Sequence, residues 1–213
     1  MIYLFLMVIS SLLYKNERVQ VFVDNKYSFS CTTDFVLEQR LFKDREIEVQ
    51  ELETLKKLAE DEALRIRLMS YSYSKFSSKK ELYDKLNTYS NKKFRKKVSK
   101  DDFSNYWKFI EDRGVYDEEK IVKALIKHYQ EKKKGNRFIE SSLLQKGYSK
   151  DIVKELLKEN MGEDPKETIK ELIEKKLGKG DKSDMKLKAR VYRYVLSRGF
   201  DYEDISKVWK SIE

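Results

Sequence analysis

The chain has 213 residues, 39% of them charged, and a net charge of +9 at pH 7. Its single histidine and single cysteine exclude a site built on paired histidines and a disulfide within the chain. The high charge content and the mean hydropathy of -0.74 favour helical layers with much exposed surface, and the positive balance favours an anionic partner.

Residues 1–13 are almost wholly apolar. They lack the basic n-region and the small-residue cleavage pattern of a signal peptide, and they are too few to span a bilayer. We interpret them as an extra β-strand, or as an unnatural or misassigned start. The chain is therefore expected to be cytoplasmic and to make no membrane contact, and its lone cysteine supports that expectation.

A β-hairpin is predicted next. Apolar residues alternate with polar ones over 18–31, around Asp24 and Asn25, which suit a tight turn. A short helix near 35–41 and a strand at 47–49 would complete a small cap. Such a cap would cover the open end of a helical array.

The rest of the chain repeats itself. The stretch 144–157 is matched without a gap by 196–209, with Gly147 and Gly199 at the same place and apolar residues at the same later positions. A weaker first copy lies near 94–107, where a lysine replaces the glycine. A period near 50 residues is typical of stacked helical units.

Capping residues divide each unit into three helices. Start signals are Ser78 with Glu81 three residues on, Asp117, and Asp164 ahead of Pro165, while glycines end the helices. The predicted helices are 52–73, 79–89 and 100–112; 118–133, 137–146 and 150–159; and 165–177, 184–198 and 202–212.

The predicted fold is mainly α, with tandem three-helix repeats in an elongated curved stack and a small N-terminal cap that contains the β-hairpin. The predicted domains are the cap at 1–50 and the repeats at 51–114, 115–162 and 163–213. We expect a monomer.

Basic residues cluster near the junctions between the first and second helices of the units. Equivalent junctions would form a basic stripe, which favours nucleic acid or a nucleoprotein as partner. The alternative is that each lysine run merely solvates a helix end. The candidate partner-binding residues are Lys92, Lys93, Arg95, Lys96, Lys132, Lys133, Lys134, Arg137, Lys146, Lys176, Lys179, Arg190, Arg193 and Arg198.

Catalytic signals are scarce. The sequence has no phosphate-binding glycine loop, and its carboxylates are scattered beside lysines rather than paired as an acid and a base. His128 is predicted to be a packed or rim side chain, and Cys31 a buried thiol. Trp107 and Trp209 occupy the same place in the repeat, so we expect them in the core rather than stacked on bases. We predict neither enzyme activity nor a cofactor.

Four short motifs in fixed order resemble one family. They are SKKELYDKL at 78–86, GVYDEE at 114–119, LQKGY at 144–148 and LSRGF at 196–200. With the small β-containing cap before them, they are similar to RecX, the bacterial regulator of the RecA recombinase, in its Gram-positive form. The resemblance covers about residues 15–213. It departs at 87–97, which looks like a lysine-rich insertion.

The resemblance implies a non-enzymatic regulator that lies in the groove of a RecA filament on single-stranded DNA. There it would limit filament growth, ATP turnover and co-protease activity, with roles in DNA repair, recombination and the SOS response. The residues alone leave two alternatives open: a free-standing DNA- or RNA-binding module, and a helical scaffold that binds only proteins.

Overall fold

The computed structural model describes residues 6–73, 76–159 and 165–212. Its strands are β1 (Leu6–Lys15), β2 (Arg18–Val23), β3 (Lys26–Thr32) and β4 (Glu46–Glu48), which form one antiparallel sheet in the order β3-β2-β1-β4. The helices are α1 (Thr33–Glu38), α2 (Val49–Ser72), α3 (Lys79–Phe94), α4 (Lys100–Glu111), α5 (Glu118–Glu131), α6 (Asn136–Lys146), α7 (Lys150–Glu159), α8 (Lys166–Leu177), α9 (Met185–Ser197) and α10 (Tyr202–Ile212).

The predicted fold class is confirmed in that helices dominate and a small sheet precedes them. The residues form two compact units, one from 1–73 with 84–115 and the other from 74–83 with 116–213. The four domain ranges drawn from the sequence stay a prediction.

The hairpin follows the alternation in the sequence. Asp24 and Asn25 connect β2 to β3, both with positive φ (48° and 63°), and Val23 pairs with Lys26. Two left-handed residues in a two-residue loop match the right-handed twist of the strands. The apolar start forms β1 from Leu6 onward, which confirms the extra-strand interpretation there; residues 1–5 lie outside the described part of the chain.

The sheet packs one face against α2. Ile9, Val19, Val21 and Cys31 are completely buried and share a core with Leu55 of α2. This arrangement confirms that Cys31 is an inward-facing thiol. Burial, and next the negative charge of Glu62, raise the pKa of Cys31 from 9.0 to about 12.

Cys31 should therefore be almost unreactive in the native protein. At pH 8 the folded state holds on the order of 10³ times less thiolate than the unfolded chain, and only the thiolate attacks a disulfide reagent. Because the folded pKa is raised, the stability that this neutral thiol contributes is full below pH 9 and is lost as pH rises toward 12. Reaction with an aromatic disulfide reagent, with and without urea, checks the expectation, and equal rates would contradict it.

The helical core has the predicted tryptophans inside. Trp107 on α4 is 3% exposed and Trp209 on α10 is 1% exposed. Tyr106, beside Trp107, donates from its hydroxyl to Asp61 Oδ1 at 2.6 Å. Burial, and then that carboxylate, raise the pKa of Tyr106 well above its usual value. Both tryptophan positions are thus packing positions, as expected from their shared place in the repeat.

Helices α5 to α7 enclose one apolar cluster and α8 to α10 another. In each group all three helices supply buried aliphatic side chains. The first, second and third helices carry fully buried residues at equivalent positions, which are Val122, Ile139 and Val153 in the earlier group and Ile169, Val191 and Ile205 in the later one.

Helix ends carry the predicted caps. Ser78 and Glu81 form a reciprocal capping box, in which the Ser78 amide donates to Glu81 Oε2 at 3.1 Å and the Glu81 amide to Ser78 Oγ at 3.2 Å. Asp117 caps α5 through the Lys120 amide. Gly147 and Gly199 end α6 and α9 with φ of 89° and 90°. The expected cap at Asp164 lies outside the described residues.

One helix is longer than predicted. We expected α3 to end near residue 89, but it continues to Phe94. The positive charges of the lysines in its last turn interact favourably with the negative end of the helix dipole. The helix ends before Arg95, which has a positive φ of 58°. The Val98 amide then donates to Asn87 Oδ1 at 2.9 Å, so the segment folds back on the helix. The lysine-rich stretch is therefore mostly helix rather than loop.

Candidate nucleic-acid interface

The lysine run 132–134 lies in the tight turn between α5 and α6. The turn is compact because Lys133 is left-handed (φ 55°) and the Lys134 amide donates to the Tyr129 carbonyl at 3.0 Å. Gly135 follows directly and caps α6. All three lysines are thereby held within one turn of backbone.

This turn sits against the end of α9. The Gly135 amide donates to the Arg198 carbonyl at 2.8 Å. A Cβ on Gly135 would lie 2.3 Å from the Gly199 carbonyl oxygen, and a Cβ on Gly199 would lie 2.3 Å from the Phe138 amide nitrogen. Two bare backbones therefore meet where the second three-helix group contacts the third.

The same contact recurs one group earlier. Ser78, which caps α3 as Gly135 caps α6, donates from Oγ to the Lys146 carbonyl at 2.6 Å. Lys146 precedes Gly147 as Arg198 precedes Gly199. In both places the residue that caps the start of one helix donates to the carbonyl of the residue before a glycine that ends another helix. We call this hydrogen bond the junction contact.

Arg198 fixes the lysine turn to α9. Its Nη1 donates to the Lys132 carbonyl at 2.9 Å, and its Nη2 donates to the Tyr194 hydroxyl at 3.0 Å. The guanidinium carbon also lies 5.2 Å from the centre of the Tyr194 ring. Arg198 therefore has a structural role in addition to its charge.

A basic cleft of about 410 Å³ opens beside the junction contact. Five cationic side chains and two carboxylates line it, together with Leu172 and Tyr194; the charged residues are Lys132, Lys133, Lys134, Lys175, Arg198, Glu131 and Glu171. Partial burial, and then repulsion by Arg198, lower the pKa of Lys134. The charge of Arg198, which contributes the smaller part of this pKa shift, would also stabilise a bound anion.

Several predicted residues are engaged inside the protein. Lys133 forms an ion pair with Glu171, and Arg137 forms one with Asp201. Lys146 reaches Glu81 at 3.1 Å. Further intramolecular contacts include those of Lys96 with Glu60 (3.4 Å), of Lys93 with the Tyr89 hydroxyl (3.1 Å), of Arg193 Nε with the Ala189 carbonyl (3.3 Å) and of Lys176 over the Tyr194 ring (5.3 Å).

The predicted residues near the end of α3 are exposed. Lys92, Lys93, Arg95 and Lys96 belong to the first compact unit, at the end of α3. Within the described ranges, no ion pair engages Lys92, Arg95, Lys132, Lys179 or Arg190. The structure thus brings Lys132, Lys133, Lys134 and Arg198 together in the cleft, whereas Arg137 and Lys146 serve contacts within the second unit.

Lys175 and Tyr194 also line the cleft but were not among the candidate partner-binding residues. Lys175 lies in a lysine pair near the end of α8, and Tyr194 stands four residues before Arg198 on α9. The four-residue spacing places Tyr194 and Arg198 on one helix face, and it was the sequence signal from which Tyr194 could have been predicted. In the described part of the chain, no cluster of histidine, cysteine and carboxylate side chains could hold a metal, and no helix is long and apolar enough to cross a membrane.

Comparison with known proteins shows similarity to regulatory protein RecX. Residues 14–48 match the N-terminal domain of regulatory protein RecX, and residues 163–209 match the third three-helix domain of RecX. A regulatory protein RecX of Clostridium beijerinckii is 31% identical over 206 residues, covering 92% of this chain and 90% of the relative. One from Clostridium perfringens strain SM101 is 29% identical over 195 residues, covering 88% and 86%.

Solved structures agree on the fold. A crystal structure of regulatory protein RecX superposes with a TM-score of 0.69 at 16% identity, covering 95% of this chain and 98% of the other. RecX from Lactobacillus salivarius superposes with a TM-score of 0.60 at 18% identity, covering 71% and 96%.

Proposed function

The chain belongs to the RecX family of regulatory proteins, and from that premise we propose that it inhibits a RecA-type recombinase by binding in the groove of the recombinase filament on single-stranded DNA. The curated relatives are named regulatory proteins, which is consistent with a role other than catalysis. Limits on filament growth, ATP hydrolysis and co-protease activity would follow from occupation of that groove.

The basic cleft carries the proposal. It is open to solvent, and Lys132 and Lys175 line it while no ion pair in the described structure neutralises them. Cations that are free of internal partners can release counterions from a phosphate backbone or pair with acidic protein surface. The internal ion pair between Lys133 and Glu171 keeps the field from being uniformly positive and helps to shape the site.

Inhibition requires more than attachment. A ligand changes an assembly equilibrium only by binding one state better than another. If the chain contacts adjacent protomers, it holds them in one relative orientation, and it thereby opposes the changes that accompany filament growth and ATP turnover. Sub-stoichiometric inhibition is the expected signature.

The decisive experiment measures ATP hydrolysis by a RecA recombinase on single-stranded DNA while the chain is titrated at fixed salt. We expect hydrolysis to fall at less than one copy per recombinase protomer, and to stay low when DNA is in excess. Full recovery with excess DNA would show a plain nucleic-acid binder instead. Binding to the recombinase without DNA, unaffected by cleft substitutions, would show a protein scaffold.

Charge removal in the cleft should weaken filament binding specifically. The paired substitution Lys132→Gln with Lys175→Gln leaves Arg198 and its junction intact. If each lysine neutralises one phosphate, the slope of log K against log salt should fall in magnitude by about 1.4. Fluorescence anisotropy of labelled filaments at several salt concentrations measures it. The control is Lys154→Gln with Lys158→Gln, exposed lysines on α7, and equal slopes for the two pairs would contradict the role of the cleft.

A further inference from the structure

A second cationic cluster lies in the first compact unit, at the last turns of α3. The Lys93 ammonium donates to the Tyr89 hydroxyl at 3.1 Å, and the Arg67 guanidinium of α2 lies over the Tyr89 ring, 4.5 Å from the ring centre. Burial alone would raise the pKa of Tyr89, but the hydrogen bonds and charges of Lys93 and Arg67 outweigh it and lower that pKa.

The Tyr89 hydroxyl has a hydrogen-bond donor beside it but, within the described ranges, no acceptor for its own proton. The Tyr89 oxygen accepts from Lys93, and its hydroxyl still has its own proton to donate. In the described residues Tyr89 is half-buried and its hydroxyl donates to no protein group, and neither Arg67 nor Lys93 forms an ion pair with a carboxylate. Two cations without carboxylate partners in the described structure therefore flank a phenol whose hydroxyl still has a proton to donate.

We infer that Arg67, Tyr89 and Lys93 form a phosphate-binding site distinct from the cleft beside Arg198. A phosphate oxygen accepts from all three groups and offsets the repulsion between the two cations. Charge-assisted hydrogen bonds of this kind are about twice as strong as neutral ones.

The ligand favoured at this site is single-stranded nucleic acid. Phe94 is half-exposed beside the cluster; its ring centre lies 6.3 Å from that of Tyr89, and the Lys93 ammonium lies 5.0 Å from it. An aromatic face next to a phosphate site allows a base to stack while its phosphate is held. A small polyphosphate shares the phosphate chemistry but makes no use of Phe94.

The site requires no recombinase, so binding of a bare strand tests it. The probe is a fluorescent oligothymidine of about 20 nucleotides, with the full chain and anisotropy as readout. For Arg67→Gln with Lys93→Gln we expect about a tenfold weaker affinity, equivalent to about 1.4 kcal/mol, and a salt slope reduced by about 0.7 for one lost phosphate.

Tyr89→Phe provides a milder test, because it keeps the ring and its packing and removes only the donor. We expect about a threefold loss of affinity. The matched control is Lys97→Gln with Lys100→Gln, which removes the same charge from two exposed positions that follow the cluster and are not candidate partner-binding residues. A control loss as large as that of the Arg67 and Lys93 pair, or no loss on Tyr89→Phe, would overturn the site.

Calorimetry with inorganic tripolyphosphate separates the two ligand sources. Weaker binding of both tripolyphosphate and the oligonucleotide by the Tyr89→Phe variant supports a general phosphate site. Weakening of the oligonucleotide alone, with a further loss on Phe94→Ala, supports a strand-binding site. The recombinase ATPase assay tests the regulatory role separately from this site. If the cluster variants still inhibit the recombinase, the cluster is a strand contact that inhibition does not need. If the unchanged chain fails to inhibit, the regulatory role is contradicted while the phosphate-binding site is not.

Discussion

Replacing Trp209 with alanine is expected to lower the free energy of unfolding by about 3 to 5 kcal/mol. The indole is 1% exposed, lies 5.6 Å between ring centres from Tyr192, and closes the apolar cluster of the last three helices. Its removal forfeits transfer energy and leaves a cavity that rigid helices on three sides cannot fill.

Equilibrium urea unfolding, followed by circular dichroism, measures the Trp209 effect. Tyr202→Ala is the control, since Tyr202 is on the same helix and is aromatic but 62% exposed. It should lose about 1 kcal/mol or less. A midpoint that Trp209→Ala leaves unmoved would mean that the last group of helices contributes little to the cooperative core.

Gly199→Ala should be comparably damaging, through the backbone rather than the core. The residue has φ of 90°, which L-residues adopt at a penalty of about 1 to 2 kcal/mol. The new Cβ would also lie 2.3 Å from the Phe138 amide nitrogen, an atom of the backbone that cannot rotate aside. We expect a total loss of more than about 3 kcal/mol, or a displaced junction.

Gly114→Ala separates the two causes. Gly114 also has positive φ (60°), but a Cβ there meets nothing within 4 Å. It should show the conformational penalty alone. Urea midpoints for the two variants give the difference, and amide exchange at Gly135, whose N–H donates to the Arg198 carbonyl, reports whether the junction has opened. Equal losses would mean that the close approach of the backbones does not constrain the fold.

The helices were predictable because their signals are local. A stripe such as Ile205, Val208 and Trp209 recurs with helical spacing, and caps such as Ser78 with Glu81 act within one turn. The end of α3 was placed too early, at residue 89, within the lysine-rich stretch 87–97. In the structure Asn87 accepts from the Val98 amide, a contact that local reasoning does not include.

The candidate sites were predictable only in part. Lysine runs located the α5–α6 turn, but the cleft also needs Lys175 and Tyr194, which tertiary packing brings to it. Charge counting likewise treats Arg137 as available, whereas Asp201 pairs with it. Arg67 lies on α2, the helix before the one that carries Lys93, and it joins the Tyr89 cluster only through a contact between the two helices, with its guanidinium over the Tyr89 ring.

The junction contact also bears on how such chains diverge. At both places the bond is to a main-chain carbonyl, accepted by Lys146 in one case and by Arg198 in the other, and the donor is a hydroxyl at Ser78 but an amide at Gly135. The two carbonyl acceptors are main-chain groups, so substitution at 146 or 198 leaves them in place, whereas Ser78 donates from its side chain and Gly135 and Gly199 have no room for a Cβ. Extensive drift is then compatible with one architecture, as the 16% identity at a TM-score of 0.69 illustrates.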